Sequence, residues 1–155
     1  TRGYRLSSTK IRTMEIKRTI NIKNEEETKE FGLKIGQEAV PGQVIGLIGD
    51  LGTGKTTLTK YIARGLGVEE NISSPTFMIV REYHGGRMPL YHFDVYRIGD
   101  PEELFDIGAD EYFDGDGLCV VEWADMVMPQ LPEDSMFICI EYGASEGERT
   151  YKCTF

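Results

Sequence analysis

Long apolar runs are missing from this chain. No stretch approaches the roughly 18 consecutive apolar residues a membrane helix needs, so no span is expected. The first residues also lack the apolar centre of a secretion signal. There are 2 histidines and 3 cysteines, without a Cys-x-x-Cys pair, so no structural zinc is expected. Cys119, Cys139 and Cys153 each lie in an apolar run. They read as small buried hydrophobes in a reducing cytosol, with a redox role as the lesser alternative. Basic charge is scarce too. The net charge of −9 argues against tight, unaided binding to RNA, leaving open a local basic patch or an RNA carried by a partner. A cytoplasmic location is expected.

What remains suits a single core. The 155 residues are 40% hydrophobic and 28% charged, the composition of an ordinary globular domain. Residues 1–13, "TRGYRLSSTKIRT", carry Arg2, Arg5, Lys10 and Arg12 and no acid. Met14 then opens "MEIKRTINI", which alternates like a strand. The reading is a flexible leader over 1–13, of cloning or misassigned-start origin, and one domain over 14–155. A nucleic-acid-binding arm is its rival.

Along the domain, Asn24 can cap a helix whose first turn is acidic and whose Phe31, Ile35 and Ala39 share a face. "VIGLIG" (44–49) suits a strand covered on both faces. Leu58, Ile62 and Leu66 follow at helical spacing, with Gly65 and Gly67 as the stop. "TFMIVREYHGGRMPLYHFDVYR" reads as two strands joined by a turn at His84 to Arg87. Asp100 and Pro101 open one or two short helices. "GLCVVEW", "MFICIEY" and "RTYKCTF" are further strands, the last two paired as a hairpin. The expected class is therefore α/β with a mixed sheet, parallel around the glycine loop and antiparallel toward an edge.

The segment Gly49-Asp50-Leu51-Gly52-Thr53-Gly54-Lys55-Thr56, followed by Thr57, matches the phosphate-loop pattern G-x-x-x-x-G-K-[ST] at every defined position. Glycines let the backbone curl its N–H groups around a phosphate, and the following helix adds its positive end. Lys55 would reach the β- and γ-phosphates and the Thr56 hydroxyl would hold Mg²⁺. The bland alternative is a glycine-rich turn with an exposed lysine. The apolar strand before the loop and the amphipathic helix after it weigh against that alternative.

A nucleotide-bound Mg²⁺ also needs a carboxylate at the tip of a neighbouring strand. Two runs end in one: "PLYHFD" at Asp94 and "LCVVE" at Glu122. Glu122, after the more continuously apolar run, is favoured as the metal ligand, and Asp94 as the acid that organises water. Asp94 as the direct ligand stays open. No Asn-Lys-x-Asp selects guanine, which favours ATP over GTP. No Leu-Ser-Gly-Gly-Gln segment points to a transporter-type dimer. Arginine is sparse, with only Arg81, Arg87 and Arg97 near the hairpin, which disfavours a kinase lid.

"GDLGTGKTT", "SPTF" (74–77), "YHFDVYR" (91–97) and "VEW" (121–123), in this order and spacing, resemble the TsaE (YjeE) family over Met14 to Phe155. The resemblance implies a P-loop NTPase-like three-layer fold with a mixed parallel/antiparallel sheet. It implies a P-loop ATPase, weak alone, serving synthesis of N6-threonylcarbamoyladenosine (t6A) at position 37 of tRNAs reading ANN codons. Its partners would be TsaB and TsaD, whose turnover it supports without transferring the group itself, and it would meet tRNA through that complex. By the family's pattern Lys55 and Thr56 serve the phosphates and Mg²⁺, Asp94 and Glu122 form the acidic pair, and Glu25 lies near the base. Ser74, Pro75, Thr76 and Phe77 would form a switch segment with Thr76 near the γ-phosphate. Thr53 stands where the family usually has alanine.

Other residues have plainer readings. Pro75 could simply mark a strand entry. His92 alternates with Tyr91 and Phe93 and reads as a hydrogen-bonded sheet histidine. Trp123 is either core packing or a wall beside the nucleotide or a partner. Tyr96 and Arg97 follow Asp94 on an exposed rim suited to a partner or RNA. The acidic stretch 100–116 is a solvated face, or a complement to a basic partner. Two further functions compete with the ATPase of a tRNA-modifying complex: a small-molecule kinase, and a nucleotide-gated binding module whose hydrolysis is incidental.

Overall fold

The computed structural model describes residues 14–75 and 79–155, so the 1–13 leader lies outside the described residues. The elements run β1 (Arg18–Ile22), α1 (Glu25–Glu38), β2 (Val44–Ile48), α2 (Lys55–Leu66), β3 (Val80–Tyr83) and β4 (Leu90–Asp94). They continue with α3 (Glu103–Asp106), α4 (Ala109–Phe113), β5 (Leu118–Glu122), β6 (Met136–Tyr142) and β7 (Arg149–Cys153). Two short 3-10 helices, Ala124–Met126 and Met128–Gln130, bridge β5 and β6.

The seven strands form one sheet in the order β1-β7-β6-β2-β5-β4-β3. β2 pairs in parallel with both β5 and β6, and β4 in parallel with β5. β3 and the β7–β1 pair close the two edges in antiparallel register. The split follows from the sequence. "VIGLI" is apolar throughout and "LCVVE" is apolar up to its terminal Glu122, and every residue in both is buried, as a strand covered on both faces requires. On one face Ile45, Leu47, Val120 and Ile138 pack under Leu58, Ile62 and Leu66 of α2. On the other, Val44, Ile48, Cys119 and Val121 meet Leu104, Ala109 and Phe113. Three layers result.

The three thiols are buried. Burial pushes Cys119 up to about 12 and Cys139 to about 11, so neither presents a thiolate near neutral pH. The hydrophobe reading of these cysteines accounts for them.

Asn24 caps α1 by accepting from the Glu27 amide, and Glu27 in turn accepts from the Lys23 amide at 2.8 Å. The face that α1 buries departs from the expected one. Phe31 and Ile35 are half-buried at the margin of the core, whereas Thr28, Gly32 and Gly36 are the buried residues. The helix lies directly on α2: a Cβ on Gly36 would come within 2.1 Å of the Ile62 carbonyl oxygen, and one on Gly65 within 2.3 Å of that of Leu33. Gly65 is therefore a packing residue inside α2, and only Gly67, at φ 95°, ends the helix. Apolar periodicity cannot register a contact made by backbone. At the far end of α1, Arg87 donates to the carbonyls of Gly36 and Gln37, both at 2.7 Å, and of Ala39 at 2.9 Å. The Gly36 carbonyl also accepts from the Ala39 amide at 3.4 Å. The guanidinium adds a charged donor for the carbonyls at this helix end, which run short of intrahelical partners.

A candidate nucleotide site at the strand tips

The chain leaves β2 at Ile48 and enters α2 at Lys55 through the glycine loop. Gly52 at φ 81° and Gly54 at φ 104° take left-handed conformations that favour glycine. Gly54 also begins the helix, its carbonyl accepting from the Leu58 amide at 2.9 Å. The loop borders an open cleft of about 890 Å³, a volume suited to a small-molecule ligand.

Lys55 is only 5% exposed. Its Nζ donates to the carbonyls of Gly49 at 2.7 Å and Asp50 at 2.9 Å, and lies 3.9 Å from the centre of the Trp123 ring. Burial lowers its pKa, while the carboxylates of Glu122, Asp125, Asp94 and Asp50 oppose that shift. A desolvated cation whose hydrogen-bond acceptors are neutral carbonyls can exchange them for an anionic ligand.

One helical residue further, the Thr56 hydroxyl lies 2.9 and 3.0 Å from the two oxygens of Glu122 and 3.0 Å from the Ser74 hydroxyl. Glu122, at the tip of β5, is buried. Its Oε2 also meets His92 Nε2 at 2.6 Å and the Thr59 hydroxyl at 3.4 Å. Parallel pairing sets Asp94 beside Glu122 in register, so the two expected strand-end acids share one rim. Asp94 is half-buried and accepts from the Tyr96 amide at 3.0 Å. Burial and the nearby Glu122 raise its pKa, with the Tyr96 hydrogen bond acting against them.

Trp123 belongs to both the core and the cleft wall. It is 6% exposed and packs into the core, yet its ring forms a wall of the cleft and lies 4.5 Å from Tyr96. Among the described residues it is the non-glycine with positive φ, at 62°. That backbone turn swings the ring over Lys55 immediately after Glu122. A left-handed conformation costs about 1–2 kcal/mol, so the surrounding packing must enforce it.

Leu51, Gly52, Gly54, Lys55, Thr56 and Thr57 line one side of the cleft. Ser74, Pro75, Asp94, Tyr96, Arg97 and Glu122 stand across from them. Other expected residues are placed elsewhere. Asp50 is exposed, and the buried Thr53 turns its hydroxyl onto the Asp50 carbonyl at 2.8 Å. Glu25 does not line the cleft; its carboxylate accepts from the Tyr61 hydroxyl between α1 and α2. Thr76 and Phe77 lie outside the described residues. His92 is a hydrogen-bonded sheet histidine, as expected, and its partner is Glu122 of the site. The spacing of two between His92 and Asp94 on one strand, which puts both on the same face, is the signal that could have placed it at the site.

The donor set suits Mg²⁺. The threonine hydroxyl and two carboxylates are hard oxygen ligands, few enough that phosphates and water would complete the shell. A strand–glycine loop–helix with a buried lysine, a threonine hydroxyl on a strand-tip carboxylate and a parallel sheet behind them defines a P-loop nucleotide-binding protein. Comparison with known proteins narrows this. Residues 22–151 match the model of the family described as "Threonylcarbamoyl adenosine biosynthesis protein TsaE". A Bacillus subtilis (strain 168) protein named tRNA threonylcarbamoyladenosine biosynthesis protein TsaE is 50% identical over 129 residues, covering 83% of this chain and 80% of that one. A Nostoc sp. protein of the same name is 38% identical over 139 residues, covering 87% and 84%. The crystal structure of Bacillus subtilis YdiB superposes with a TM-score of 0.73 at 43% identity, covering 88% of this chain and 83% of that chain. The chain belongs to the TsaE family.

Proposed function

We propose that this protein binds and hydrolyses ATP as a component of the machinery that makes t6A at position 37 of tRNAs reading ANN codons. In this reading it supports turnover of the TsaB–TsaD transferase and transfers no group itself. Its setting is the cytoplasm; no helix among the described residues is long and apolar enough to cross a membrane. The observation that carries the ATP reading is the hydrogen bonding of the Thr56 hydroxyl to Glu122 beside the buried Lys55.

Bound Mg²⁺ would neutralise charge on the β- and γ-phosphates. Thr56 and Glu122 would hold it, with Asp94 in the adjacent register position to orient water. Lys55 Nζ exchanges two neutral carbonyl partners for charged phosphate oxygens, a stronger class of hydrogen bond. His92 fixes the Glu122 carboxylate from behind, and Trp123 with Tyr96 supplies an aromatic wall to the cleft. Because Ser74 bonds the Thr56 hydroxyl, a cation held by Thr56 would compete with Ser74 at the entry to the 74–77 segment. Such competition would tie nucleotide state to the rim of the same cleft that carries Tyr96 and Arg97, where a partner would engage. A small-molecule kinase fits less well, since Arg87 is committed to capping α1.

The test is steady-state ATP hydrolysis by the purified protein, alone and with TsaB–TsaD, alongside t6A formation over many turnovers. Stimulation by the partners, and multiple-turnover t6A formation that requires hydrolysable ATP, is the expected result. Full t6A turnover with an unhydrolysable analogue would replace this reading with a nucleotide-gated module. Phosphate transfer to a small acceptor without partners would replace it with a kinase.

A further inference from the structure

A phosphate nest needs its N–H groups turned inward, so the carbonyls of the same peptides must turn outward and find partners. In this loop the carbonyls of Leu51, Gly52 and Thr53 are held by the side chains of a single hairpin. The Tyr142 hydroxyl donates to the Leu51 carbonyl at 2.7 Å. Arg149 Nε donates to that of Thr53 at 2.8 Å, and its Nη2 lies 3.4 Å from that of Gly52. Tyr142 and Arg149 are register partners across β6 and β7, and the guanidinium carbon lies 5.0 Å from the centre of the Tyr142 ring. Arg149 Nη1 is spent on the Glu148 carbonyl at 2.8 Å, which fixes the fork. A Cβ at Gly52 would approach the Tyr142 hydroxyl to 3.2 Å, so the loop is fitted closely to this brace.

We propose that Arg149 and Tyr142 are positioning residues that hold the phosphate loop with its amides inward before nucleotide arrives. The proposal rests on the ATP reading for its consequence, but the brace itself can be measured without nucleotide. Preorganisation lowers the cost of binding and leaves the chemical step alone, because a bound triphosphate imposes the same loop conformation once it is there.

Three variants, Arg149→Ala, Arg149→Lys and Tyr142→Phe, separate bracing from charge. Amide hydrogen exchange over residues 50–54 is followed in the nucleotide-free protein, and KM and kcat for Mg·ATP in the same preparations. The expected outcome is exchange about tenfold faster and KM about tenfold higher in Arg149→Ala, with about threefold changes in Tyr142→Phe and kcat within about twofold throughout. Unchanged exchange and KM in Arg149→Ala would overturn the proposal. So would wild-type behaviour of both Tyr142→Phe and Arg149→Lys, since charge alone would then account for the arginine. Should the wild type bind no nucleotide, the ATP reading fails while the exchange measurement still decides the brace. Tyr142 is exposed, so its loss of one hydroxyl leaves a folded protein in which the test can be read.

Discussion

Replacing Glu122 by glutamine keeps the volume at the tip of β5 and removes the charge. In the native protein Oε2 faces His92 Nε2 at 2.6 Å, and the Thr56 hydroxyl is shared between both oxygens at 2.9 and 3.0 Å. A glutamine oxygen can still accept from one of these donors, while its NH₂ must face the other. Hydrogen bonds to a charged group contribute roughly 1.5–3 kcal/mol and neutral ones about 1 kcal/mol, so the variant loses on the order of 1–3 kcal/mol of stability. Against a typical domain stability of about 5–15 kcal/mol the fold survives. At about 2–4 °C per kcal/mol the melting temperature drops by several degrees. Catalysis suffers more, because the variant loses the carboxylate assigned to the cation. Losing one preorganised electrostatic group lowers kcat by on the order of 10²–10³, about 2.7–4 kcal/mol of barrier. The assay is phosphate release at saturating Mg·ATP with TsaB–TsaD present, run beside a thermal melt. A Glu122→Gln protein that melts within a few degrees of wild type and keeps kcat within threefold would refute the role given to this carboxylate.

Asp94 carries a pKa raised by burial, so its ionised form opposes folding. Its stability contribution is complete below the unfolded value of 3.8 and is lost as pH rises through the higher folded pKa. In the nucleotide-free protein Asp94→Asn should therefore melt higher than wild type at pH 7, with the gap closing near pH 3.5; a gap that widens on acidification would contradict the assignment. In Gly36→Ala the new methyl meets backbone at 2.1 Å, and overpacking of this kind costs about 1–3 kcal/mol or more, a fall in melting temperature of several degrees. An unshifted melt would mean that α1 does not rest on α2 as described. Cys119 and Cys139, held at about 12 and about 11, should stay unreactive toward a thiol reagent at pH 8 until denaturant is added; rapid labelling of the native protein would disprove their burial.

The parts of this molecule that were legible in its sequence are those written in side-chain periodicity and in fixed spacing. The uninterrupted apolar runs at 44–48 and 118–121 announced central parallel strands. The loop pattern announced its own strand-to-helix context, and the acids ending "YHFD" and "CVVE" came to adjacent register positions. What stayed illegible is written in backbone. Gly65 resembled a helix stop because glycine contributes nothing to an apolar stripe, although its missing Cβ is what brings α1 onto α2. His92 was legible as a hydrogen-bonded sheet histidine sharing a face with Asp94, but alternation within one strand does not say that its partner is Glu122 on the next. Arg149 and Tyr142 were hidden because their targets are carbonyls of a loop nearly a hundred residues away. The position of Trp123 depended on a left-handed backbone that no residue type at that site predicts.

A crystal structure of the protein with Mg²⁺ and an unhydrolysable ATP analogue addresses the central claim directly. The triphosphate should rest against the amides of residues 49–56, with Lys55 Nζ moved from the Gly49 and Asp50 carbonyls onto phosphate oxygen. The cation should sit between the Thr56 hydroxyl and the Glu122 carboxylate, directly or through water. A nucleotide bound elsewhere, or a cation that touches neither residue, would contradict the account.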